Sequence, residues 1–406
     1  MNALLRPFLS LATQRIAESP ALATVILKCR THSQCQIQEL PGKREFPRTM
    51  KMSGWQIHSY GDLDEVQFSD NIRIPQVKLG TEVMVRVKAA SINPIDVAMI
   101  GGYGATLLNM MRKMDLEFPL VVGRDFVGEV VYRGIGAPKF PRIGDTVWGV
   151  LPPYKQGCHS QYIVIDSSLI MPKPKALGDL EASGILYSGL TAWSGLFLSG
   201  NLGNLCGLLR GASANRKRVL ILGASGGVGT MAVQIAKNED AQVFVTAAGD
   251  ASDMLSKLGA DCVIDYRDEN FLQGIHSNGP YDIILDCAGY GPKFASTIEC
   301  NFDNYVTFSS PLLRNMDSYG LISGTVRNAI SLIEDNSRIV SQKSRGIVKW
   351  GYFAPLRQGM EYLKKLAERE KLKCIVDTVY GFNDAIEAYQ RVKDGHMRGK
   401  IILDLS

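Results

Sequence analysis

The sequence predicts a mixed α/β fold in two parts, an early strand-rich part and a later doubly wound parallel sheet. Apolar and polar residues alternate in Glu82–Ala90, as they do in a half-buried strand. After Lys175, short apolar runs alternate with helical patterns, which is typical of a parallel sheet covered by helices on both faces. A glycine-rich turn at residues 223–229 joins one of these strands to a helix. Strand, turn and helix in that order predict a dinucleotide-binding sheet of the Rossmann type.

The early part contains further short strand patterns, which glycine and proline residues separate. These strands are predicted at Asp125–Tyr132, Asp145–Val150 and Ser160–Ile165. Strands of this length and spacing favour a small antiparallel barrel or sandwich.

The later part is predicted element by element from its apolar runs. Strands are predicted at Arg218–Leu222, Gln242–Ala247, Asp261–Tyr266, Tyr281–Asp286 and Asn304–Phe308, and helices at Thr230–Lys237 and Ala251–Leu258. The C-terminal segment adds a helix at Leu356–Lys371, a strand at Ile375–Tyr380, a helix at Asn383–Asp394 and a strand at Lys400–Leu405. The stretch from Ala182 to Leu209 carries no charge, but its six glycines favour a buried helix near Ala182–Leu198 over a membrane span.

The net charge of +5 on the 406 residues is concentrated at the N-terminus. Residues 1–48 hold seven Lys and Arg against three acidic residues, whereas the remaining chain holds 38 against 37. A nearly neutral globular part gives no sign of nucleic-acid binding. The basic, hydroxylated and acid-poor segment 1–48 predicts a mitochondrial transit peptide, with a disordered basic extension as the alternative. The eight cysteines include no C-x-x-C pair, which fits free thiols in a reducing compartment.

The glycine-rich turn carries the clearest chemical signal in the sequence. Ala224, Gly226 and Gly229 occupy the three positions of the dinucleotide fingerprint, although a tight turn that binds nothing is the alternative. Glycines let the backbone approach a pyrophosphate, and the helix N-terminus attracts its charge. The strand Gln242–Ala247 ends in small neutral residues, which leave room for a 2′-phosphate and predict NADPH over NADH. Asp250, just beyond that strand, could repel such a phosphate, but its spacing from Asp253 favours a cap on the next helix.

Seven segments carry a resemblance to a known family. They are Ala90–Asp96, Gly123–Val130, Gly144–Val150, Gly189–Trp193, Gly223–Gly229, Tyr281–Gly289 and Gly399–Leu405. In their order and content, residues 52–406 resemble the medium-chain dehydrogenase/reductase superfamily, in its zinc-free quinone oxidoreductase branch. The resemblance implies a GroES-like, β-rich catalytic domain at 49–178 and 355–406. It further implies a Rossmann NADP-binding domain at 179–354, with the active site in the cleft between the two domains.

Three further segments resemble a mitochondrial group within this branch. They are Gly101–Met110, Pro152–Gly157 and Asn315–Gly320. Members of that group are NADPH oxidoreductases of the matrix that are associated with ubiquinone synthesis. The resemblance therefore implies a quinone or an enone as the small-molecule substrate. It leaves open a homodimer and protein partners in mitochondria.

Cofactor contacts are implied by positions that match the family. Those implied for the pyrophosphate are Ser225, Gly227 and Val228. Those implied for the adenosine phosphate are Ala248, Ser252 and Tyr266. Those implied for the nicotinamide half are Gly289, Phe308, Gly351, Tyr352 and Phe353. The other domain is implied to contribute His396, Met397 and Arg398, of which Arg398 is either a phosphate partner or a solvated loop residue.

The sequence predicts no bound metal ion. Cys158 and His159 are adjacent, which is poor geometry for two ligands of one ion. Zinc-dependent members of the superfamily carry a cysteine near Ser91–Ile92 and a histidine at the position of Arg124, and this sequence has neither.

Asn93, Asp96 and Tyr103 match the family's substrate-side positions. The resemblance implies that Asn93 donates to a substrate carbonyl, that Asp96 orients Asn93, and that Tyr103 delivers a proton. A loop-capping Asp96 and a Tyr103 that is a plain cleft wall are the alternatives. The implied reaction is hydride transfer from NADPH to a quinone or another conjugated carbonyl. Two other functions stay open, an enoyl-thioester reductase and a cofactor-binding scaffold with little turnover.

Overall fold

The residues that the computed structural model describes all lie within Phe46–Ser406. The described ranges are 50–78, 80–112, 116–138, 140–203, 216–341 and 346–406. The transit peptide that the sequence predicts at 1–48 lies outside the described residues. Within the described ranges, no helix combines the length and the apolar character that crossing a bilayer requires.

The early part of the chain is rich in antiparallel strands, as the alternation of its side chains predicts. Its strands are β1 (Lys51–Ile57), β2 (Gln67–Arg73), β3 (Glu82–Ile92), β4 (Leu120–Val121), β5 (Asp125–Arg133), β6 (Thr146–Val150), β7 (Tyr162–Asp166) and β8 (Ile170–Pro172). Two short helices, α1 (Pro94–Ile100) and α2 (Ala105–Arg112), follow β3. The long strand β3 pairs antiparallel with both β5 and β7, so it is the centre of this part.

The later part alternates strands with helices. It comprises α3 (Asp179–Ser183), α4 (Leu186–Trp193), β9 (Arg218–Leu222), α5 (Gly227–Asn238), β10 (Gln242–Ala247), α6 (Ser252–Leu258), β11 (Cys262–Asp265), α7 (Phe271–Ser277), β12 (Tyr281–Asp286), β13 (Phe302–Thr307), α8 (Leu312–Ser341) and β14 (Ile347–Trp350). The C-terminal segment adds α9 (Arg357–Glu368), β15 (Val376–Gly381), α10 (Ala385–Asp394) and β16 (Lys400–Asp404). The predicted strands at β9, β10 and β12 have the observed bounds, and these predictions are confirmed.

Six parallel strands form a sheet in the order β11-β10-β9-β12-β13-β14. The strand β9 is apolar throughout Val219–Leu222, and these residues are fully buried because both faces of the sheet are covered. The chain runs from β9 outward to β10 and β11, then returns to β12 on the other side of β9. This reversal opens a crevice at the carboxyl ends of β9 and β12, where ligands bind in such sheets. The predicted doubly wound sheet is thus confirmed.

A second large sheet has the order β15-β16-β3-β5-β6-β8 and unites distant parts of the chain. The C-terminal strand β16 pairs antiparallel with β3, with Ile402 opposite Ser91. A smaller sheet, β2-β1-β4, lies in the same early part. The C-terminal strands therefore return to the sheet that the early part builds. The limits 49–178, 179–354 and 355–406 stay a prediction.

One helix prediction is wrong, and one long helix has no predicted counterpart. The single helix expected at Ala182–Leu198 is three pieces, α3, α4 and a π-helical turn at Ser194–Ser199. The first break lies at Gly184, where a side chain would meet the Cys374 sulfur at 2.8 Å. The long helix α8 was not predicted, because it bends at Gly320 (φ 74°) and leaves apolar residues exposed, so its pattern is not amphipathic.

The strand β16 carries a buried lysine into the interior. Lys400 is 3% exposed, and its Nζ donates to Asn93 Oδ1 at 2.5 Å. Asn93 in turn donates to Asp125 Oδ1 at 2.9 Å. Burial raises the pKa of the Asp125 carboxyl, and the Lys400 ammonium opposes that rise. A buried cation and a buried carboxylate thus stabilise each other through an amide.

We expect Lys400→Met to destabilise the protein by about 3–5 kcal/mol, because the buried Asp125 carboxylate loses its cation. The pKa of Asp125 then rises further, so the native state holds a proton that the unfolded chain has released. The stability lost in Lys400→Met should therefore become smaller as pH falls. The thermal midpoint of the variant should lie further below that of the parent at about pH 8 than at about pH 5.5. Lys365→Met, on the exposed face of α9, is the matched control. An equal drop at both pH values contradicts this account.

Candidate active site

The glycine-rich turn between β9 and α5 is shaped by close backbone contacts. Gly223 has φ 73°, and a Cβ there would lie 2.8 Å from Ala288 Cα. A Cβ at Gly229 would lie 2.5 Å from the Gly223 oxygen. Gly226 differs, because the nearest atom to its Cβ position is that same oxygen at 3.8 Å. The turn is therefore packed on its inner side and open at Gly226, as a phosphate cradle must be.

The open side of the turn is lined by helix N–H groups and joined to the C-terminal loop. Gly227 and Val228 begin α5, where a helix leaves its first N–H groups without intrahelical partners. Gly226 forms a parallel bridge with Gly399, whose N–H donates to the Ser225 oxygen at 2.9 Å. The predicted pyrophosphate residues thus lie together, and their chemistry suits an anion.

The carboxyl ends of β10 and β11 form a second edge, here called the adenosine edge (residues 247–252 and 265–267). Ala247 pairs with Asp265 in the parallel register. The Gly249 N–H donates to Asp265 Oδ2 at 2.9 Å, and the Tyr266 N–H donates to the Ala247 oxygen at 3.2 Å. These contacts bring together the residues that the sequence assigns to the adenosine phosphate, Ala248, Ser252 and Tyr266.

The loop after β12 is organised by the buried carboxylate of Asp286. Its two oxygens accept the four successive backbone N–H groups of residues 288–291 at 2.7–3.2 Å. The Thr307 hydroxyl donates to it at 2.8 Å. Gly289, predicted to lie at the nicotinamide half, has φ 82° within this loop. One carboxylate therefore fixes the backbone at the carboxyl end of the central strands.

Phe308 lies between two glycines at the end of β13. Side chains at Gly195 and Gly351 would meet its ring at 2.7 Å and 2.6 Å. The Gly351 N–H donates to the Thr307 oxygen at 2.8 Å. The two predicted residues Phe308 and Gly351 are therefore in direct contact, and neither glycine position has room for a side chain.

Aromatic rings continue this wall toward α4. Phe353 stacks on Tyr187, with ring centroids 4.3 Å apart and planes at 18°. Tyr352 differs from its neighbours, because its side chain is 58% exposed, while its carbonyl accepts from the Ser194 hydroxyl. Of the predicted nicotinamide residues, Tyr352 is thus the one that points its ring toward solvent.

The loop before β16 holds the remaining predicted cofactor residues. His396 is exposed with φ 52°, whereas Met397 packs on the apolar cluster around β16. Arg398 forms an ion pair with Asp250, across from the adenosine edge. The prediction that Asp250 caps the next helix is wrong, because Ala251 is the N-cap of α6 and Asp250 turns to Arg398 instead.

Asn93 is buried in a fully engaged network. Its Nδ2 donates to Asp125 Oδ1 at 2.9 Å and to Ser91 Oγ at 3.3 Å, and its Oδ1 accepts from Lys400. Its backbone N–H donates to Asp96 Oδ2 at 2.8 Å, which closes a capping box on α1. Both amide hydrogens are thus used within the protein, and the predicted donation by Asn93 to a substrate carbonyl does not fit this geometry.

Asp96 is fully buried and binds three groups of the protein. Besides the N–H of Asn93, it accepts the Gly123 N–H at 3.1 Å and lies 3.5 Å from Arg124 Nε. Burial raises the pKa of the Asp96 carboxyl, and the Arg124 guanidinium opposes that rise. Asp96 does orient Asn93, through its backbone, and it has the geometry of the loop-capping alternative.

Tyr103 is the half-buried member of the three predicted catalytic residues. Burial raises the pKa of its hydroxyl, so the group stays protonated at neutral pH. The Asp317 carboxylate of α8 accepts the N–H groups of Gly104 (2.7 Å) and Thr106 (3.0 Å), immediately after Tyr103. These two hydrogen bonds join two of the segments that resemble the mitochondrial group, and they fix the turn that carries Tyr103.

Cys158 and His159 diverge into separate contacts. The Cys158 sulfur lies 3.4 Å from the Asp125 carbonyl, and burial raises the pKa of its thiol. His159 hydrogen-bonds through its two ring nitrogens to the Tyr389 hydroxyl (2.5 Å) and the Ser91 carbonyl (3.1 Å), and burial lowers its pKa to about 4. In the part of the chain that the structure describes, no three His, Cys, Asp or Glu side chains are grouped as a metal site requires.

Sequence reasoning missed three residues that organise this site, namely Asp286, Lys400 and Tyr187. The first two lie within the resembling segments, but as buried charges at the ends of apolar strands. Tyr187 lies two residues before the segment Gly189–Trp193, and its N–H donates to Asp125 Oδ2 at 3.1 Å. A charge inside an otherwise apolar strand was the available signal.

Two family descriptions match the sequence. Residues 80–175 match the description "Alcohol dehydrogenase GroES-like domain", and residues 258–403 match "Zinc-binding dehydrogenase". The first match falls in the antiparallel part, and the second covers the end of the parallel sheet and the C-terminal strands.

Named proteins resemble the chain over most of its length. NAD(P)H oxidoreductase RTN4IP1, mitochondrial, of Drosophila melanogaster is 46% identical over 360 residues, which cover 87% of this chain and 86% of that protein. The human protein of the same name is 36% identical over 371 residues, covering 88% and 90%. The solved quinone oxidoreductase from Coxiella burnetii is similar with a TM-score of 0.68 and 25% identity, covering 88% and 100%.

We expect Asp286→Asn to weaken binding of a nicotinamide cofactor about tenfold or more, because an amide cannot accept five hydrogen bonds and its NH₂ faces N–H donors. The thermal midpoint should fall as well, since the loop 288–291 loses its anchor. Asp303→Asn, on the exposed side of β13, is the matched control. Cofactor titration by fluorescence measures the effect, and unchanged binding in the Asp286 variant would refute the anchoring role.

Proposed function

We propose that this chain, which belongs to the medium-chain dehydrogenase/reductase superfamily, is an NADPH-dependent oxidoreductase that reduces a quinone or another conjugated carbonyl. The observation that carries the proposal is the glycine-rich turn, which is open at Gly226 and bonded to the C-terminal loop at Gly399. The names of the relatives supply the reaction class, since they are NAD(P)H and quinone oxidoreductases.

The pyrophosphate of the cofactor would bind the N–H groups at the start of α5, with Ser225, Gly227 and Val228 around it. The bound nicotinamide ring supplies a hydride. The Asp286 loop and the Phe308 ring would hold the nicotinamide side, where the carboxyl ends of β12 and β13 lie. The remaining predicted contacts follow the same assignment, namely Ala248, Ser252, Tyr266, Gly289, Gly351, Tyr352, Phe353, His396, Met397 and Arg398.

NADPH is proposed over NADH because β10 is followed by small residues and two arginines are near the adenosine edge. Ala248 and Gly249 offer no carboxylate at the strand end, where NAD sites usually carry one. Arg398 and Arg267 both lower the pKa of the Asp250 carboxyl at this edge. A guanidinium is well suited to bind a phosphate.

We assign the substrate side to Tyr103 and Tyr187 rather than to Asn93. Burial raises the pKa of both hydroxyls, and Tyr103 adds to the rise in the pKa of Tyr187. Tyr103 is the group that would deliver a proton to the reduced acceptor. Asn93 and Asp96 are positioning residues, since both are engaged within the protein. No step in this assignment needs zinc.

Mitochondrial location is proposed from the relatives that are named mitochondrial and from the basic segment 1–48. The proposal includes the matrix as the compartment and a link to ubiquinone synthesis. It also includes the division into a GroES-like domain (49–178 and 355–406) and a Rossmann domain (179–354). Protease digestion of imported precursor in isolated mitochondria tests the location.

The chain lacking residues 1–48 is expected to oxidise NADPH in the presence of a soluble ubiquinone analogue, and to oxidise NADH at least about tenfold less efficiently. Absorbance at the nicotinamide band measures the reaction. Faster oxidation with an enoyl thioester than with any quinone would favour the enoyl reductase function. Tight NADPH binding without oxidation would favour the scaffold, and no binding of either cofactor would overturn the proposal.

We expect Gly226→Ala to fold normally but to bind NADPH about tenfold less tightly, because the new methyl group has room in the protein and occupies the phosphate side. The backbone at Gly226 (φ −77°, ψ 173°) suits alanine. Gly229→Ala is the comparison, since its methyl group would meet backbone atoms at 2.5–2.6 Å and lower the thermal midpoint. Unchanged NADPH affinity in Gly226→Ala would place the cofactor elsewhere.

A further inference from the structure

An ion pair spans the two sequence-distant loops that meet at the adenosine edge. The Arg398 guanidinium donates to the Asp250 carboxylate, and both side chains are about half exposed. Asp250 lies three residues beyond the end of β10, and Arg398 lies two residues before β16. A carboxylate and a guanidinium thus face each other at the place where the adenosine ribose is expected.

The backbone beside Arg398 is held firmly, so its side chain has a fixed origin. The Arg398 N–H donates to Asp377 Oδ1 at 2.9 Å, and the Gly399 N–H donates to the Ser225 oxygen at 2.9 Å. Gly399 has φ 92°, and a side chain there would lie 2.0 Å from the Ile375 oxygen. The backbone that carries Arg398 is therefore fixed relative to the glycine-rich turn.

The two acids of the adenosine edge have different partners. Asp265 accepts the backbone N–H groups of Gly249 and Arg267, each at 2.9 Å, so it serves the local turn. Asp250 instead uses its carboxylate on Arg398. Hydrogen bonding to Arg398 lowers the pKa of Asp250, which keeps the carboxylate ionised at neutral pH. A ligand phosphate would therefore compete with the Asp250 carboxylate for Arg398.

We propose, on the basis of the function proposed above, that the Asp250–Arg398 pair sets the preference of this site between a 2′-phosphate and a 2′-hydroxyl. A 2′-phosphate is drawn to the guanidinium of Arg398 and repelled by the carboxylate of Asp250, so the pair opens when that phosphate binds. A free ribose hydroxyl has the opposite needs, because it donates to a carboxylate. Within this ion pair, Asp250 therefore weakens NADPH binding and Arg398 strengthens it.

Two half-ligands test this contact without the nicotinamide half of the cofactor, each compared with itself across the variants. Adenosine 2′,5′-bisphosphate carries the 2′-phosphate, whereas ADP carries the ribose hydroxyl, and neither has a nicotinamide. Calorimetric titration of both into the parent protein, Asp250→Asn, Arg398→Gln and the double variant measures binding without any turnover. Asp253→Asn, an exposed acid three residues along the same segment, is the matched control.

We expect Asp250→Asn to bind the bisphosphate about tenfold more tightly and ADP no better, and Arg398→Gln to bind the bisphosphate about tenfold more weakly. The double variant should lose the gain, because the asparagine acts by freeing Arg398. Unchanged or weaker bisphosphate binding in Asp250→Asn, with binding by the parent intact, would overturn this proposal alone. No binding of either nucleotide by the parent would overturn the proposed function together with it.

Both exposed variants should keep the thermal midpoint of the parent within a few degrees, since exposed ion pairs contribute little to stability. NADPH and NADH then provide a second reading of the same preference. The ratio of their dissociation constants should move toward NADPH in Asp250→Asn and toward NADH in Arg398→Gln. If the ratio of the two dissociation constants changes in the same direction in both variants, the opposed roles of Asp250 and Arg398 are refuted as well.

Discussion

Lys400 brings a positive charge into the interior at the point where five elements meet. Its ammonium binds Asn93, Asn93 binds Asp125, and the Asp125 carboxylate also accepts from Ser91 Oγ at 2.5 Å and from the Tyr187 N–H. A buried network of this kind is stable when every member has its partners, and it is costly when one is missing. The strands β3, β5 and β16 and the helices α1 and α4 are therefore held in one relative arrangement.

Three neighbouring glycines of the turn are needed for different reasons, and Lys400 accounts for one of them. A side chain at Gly227 would meet Lys400 Cδ at 2.8 Å, whereas one at Gly229 would meet the backbone of the turn. Gly226 has room on the protein side, so its lack of a side chain serves what approaches from outside. The three glycines of the turn therefore serve a contact with Lys400, a backbone contact and, under the proposed function, a ligand contact.

Local patterns in the sequence predicted the parallel sheet well, and physical reasons separate what they missed. The strands β9, β10 and β12 each contain a short apolar run that is buried, so hydrophobicity marks their positions. The helix α8 bends at Gly320 and exposes Ile322 and Ile333, so it shows no regular apolar stripe. The resemblance to a family supplied the return of the C-terminal strands to the first sheet, which no local pattern contains.

The candidate site could be predicted as a set of positions but not as a set of contacts. The sequence placed Asn93, Asp96 and Tyr103 together, yet the partners of Asn93 include Lys400, which is 307 residues away. Asp250 was assigned to a nearby helix because its true partner, Arg398, is 148 residues away. Polar side chains contact partners that are close in space but distant in sequence. Their roles can therefore be assigned only from the folded arrangement of the sheets.

The distribution of charge links these contacts to the cofactor. Outside residues 1–48 the chain is nearly neutral, so positive charge for the cofactor phosphates has to come from a few local groups and from helix N–H donors. The buried cations Lys400 and Arg124 are committed to carboxylates and carbonyls of the protein. Arg267 and Arg398 remain at the surface of the adenosine edge, and Asp250 lies beside them. The affinity of the adenosine edge for a dianionic phosphate thus depends on how readily the exposed Asp250 carboxylate releases Arg398. The buried charges of Lys400 and Arg124 cannot move to a phosphate without unfolding the sheets that carry them.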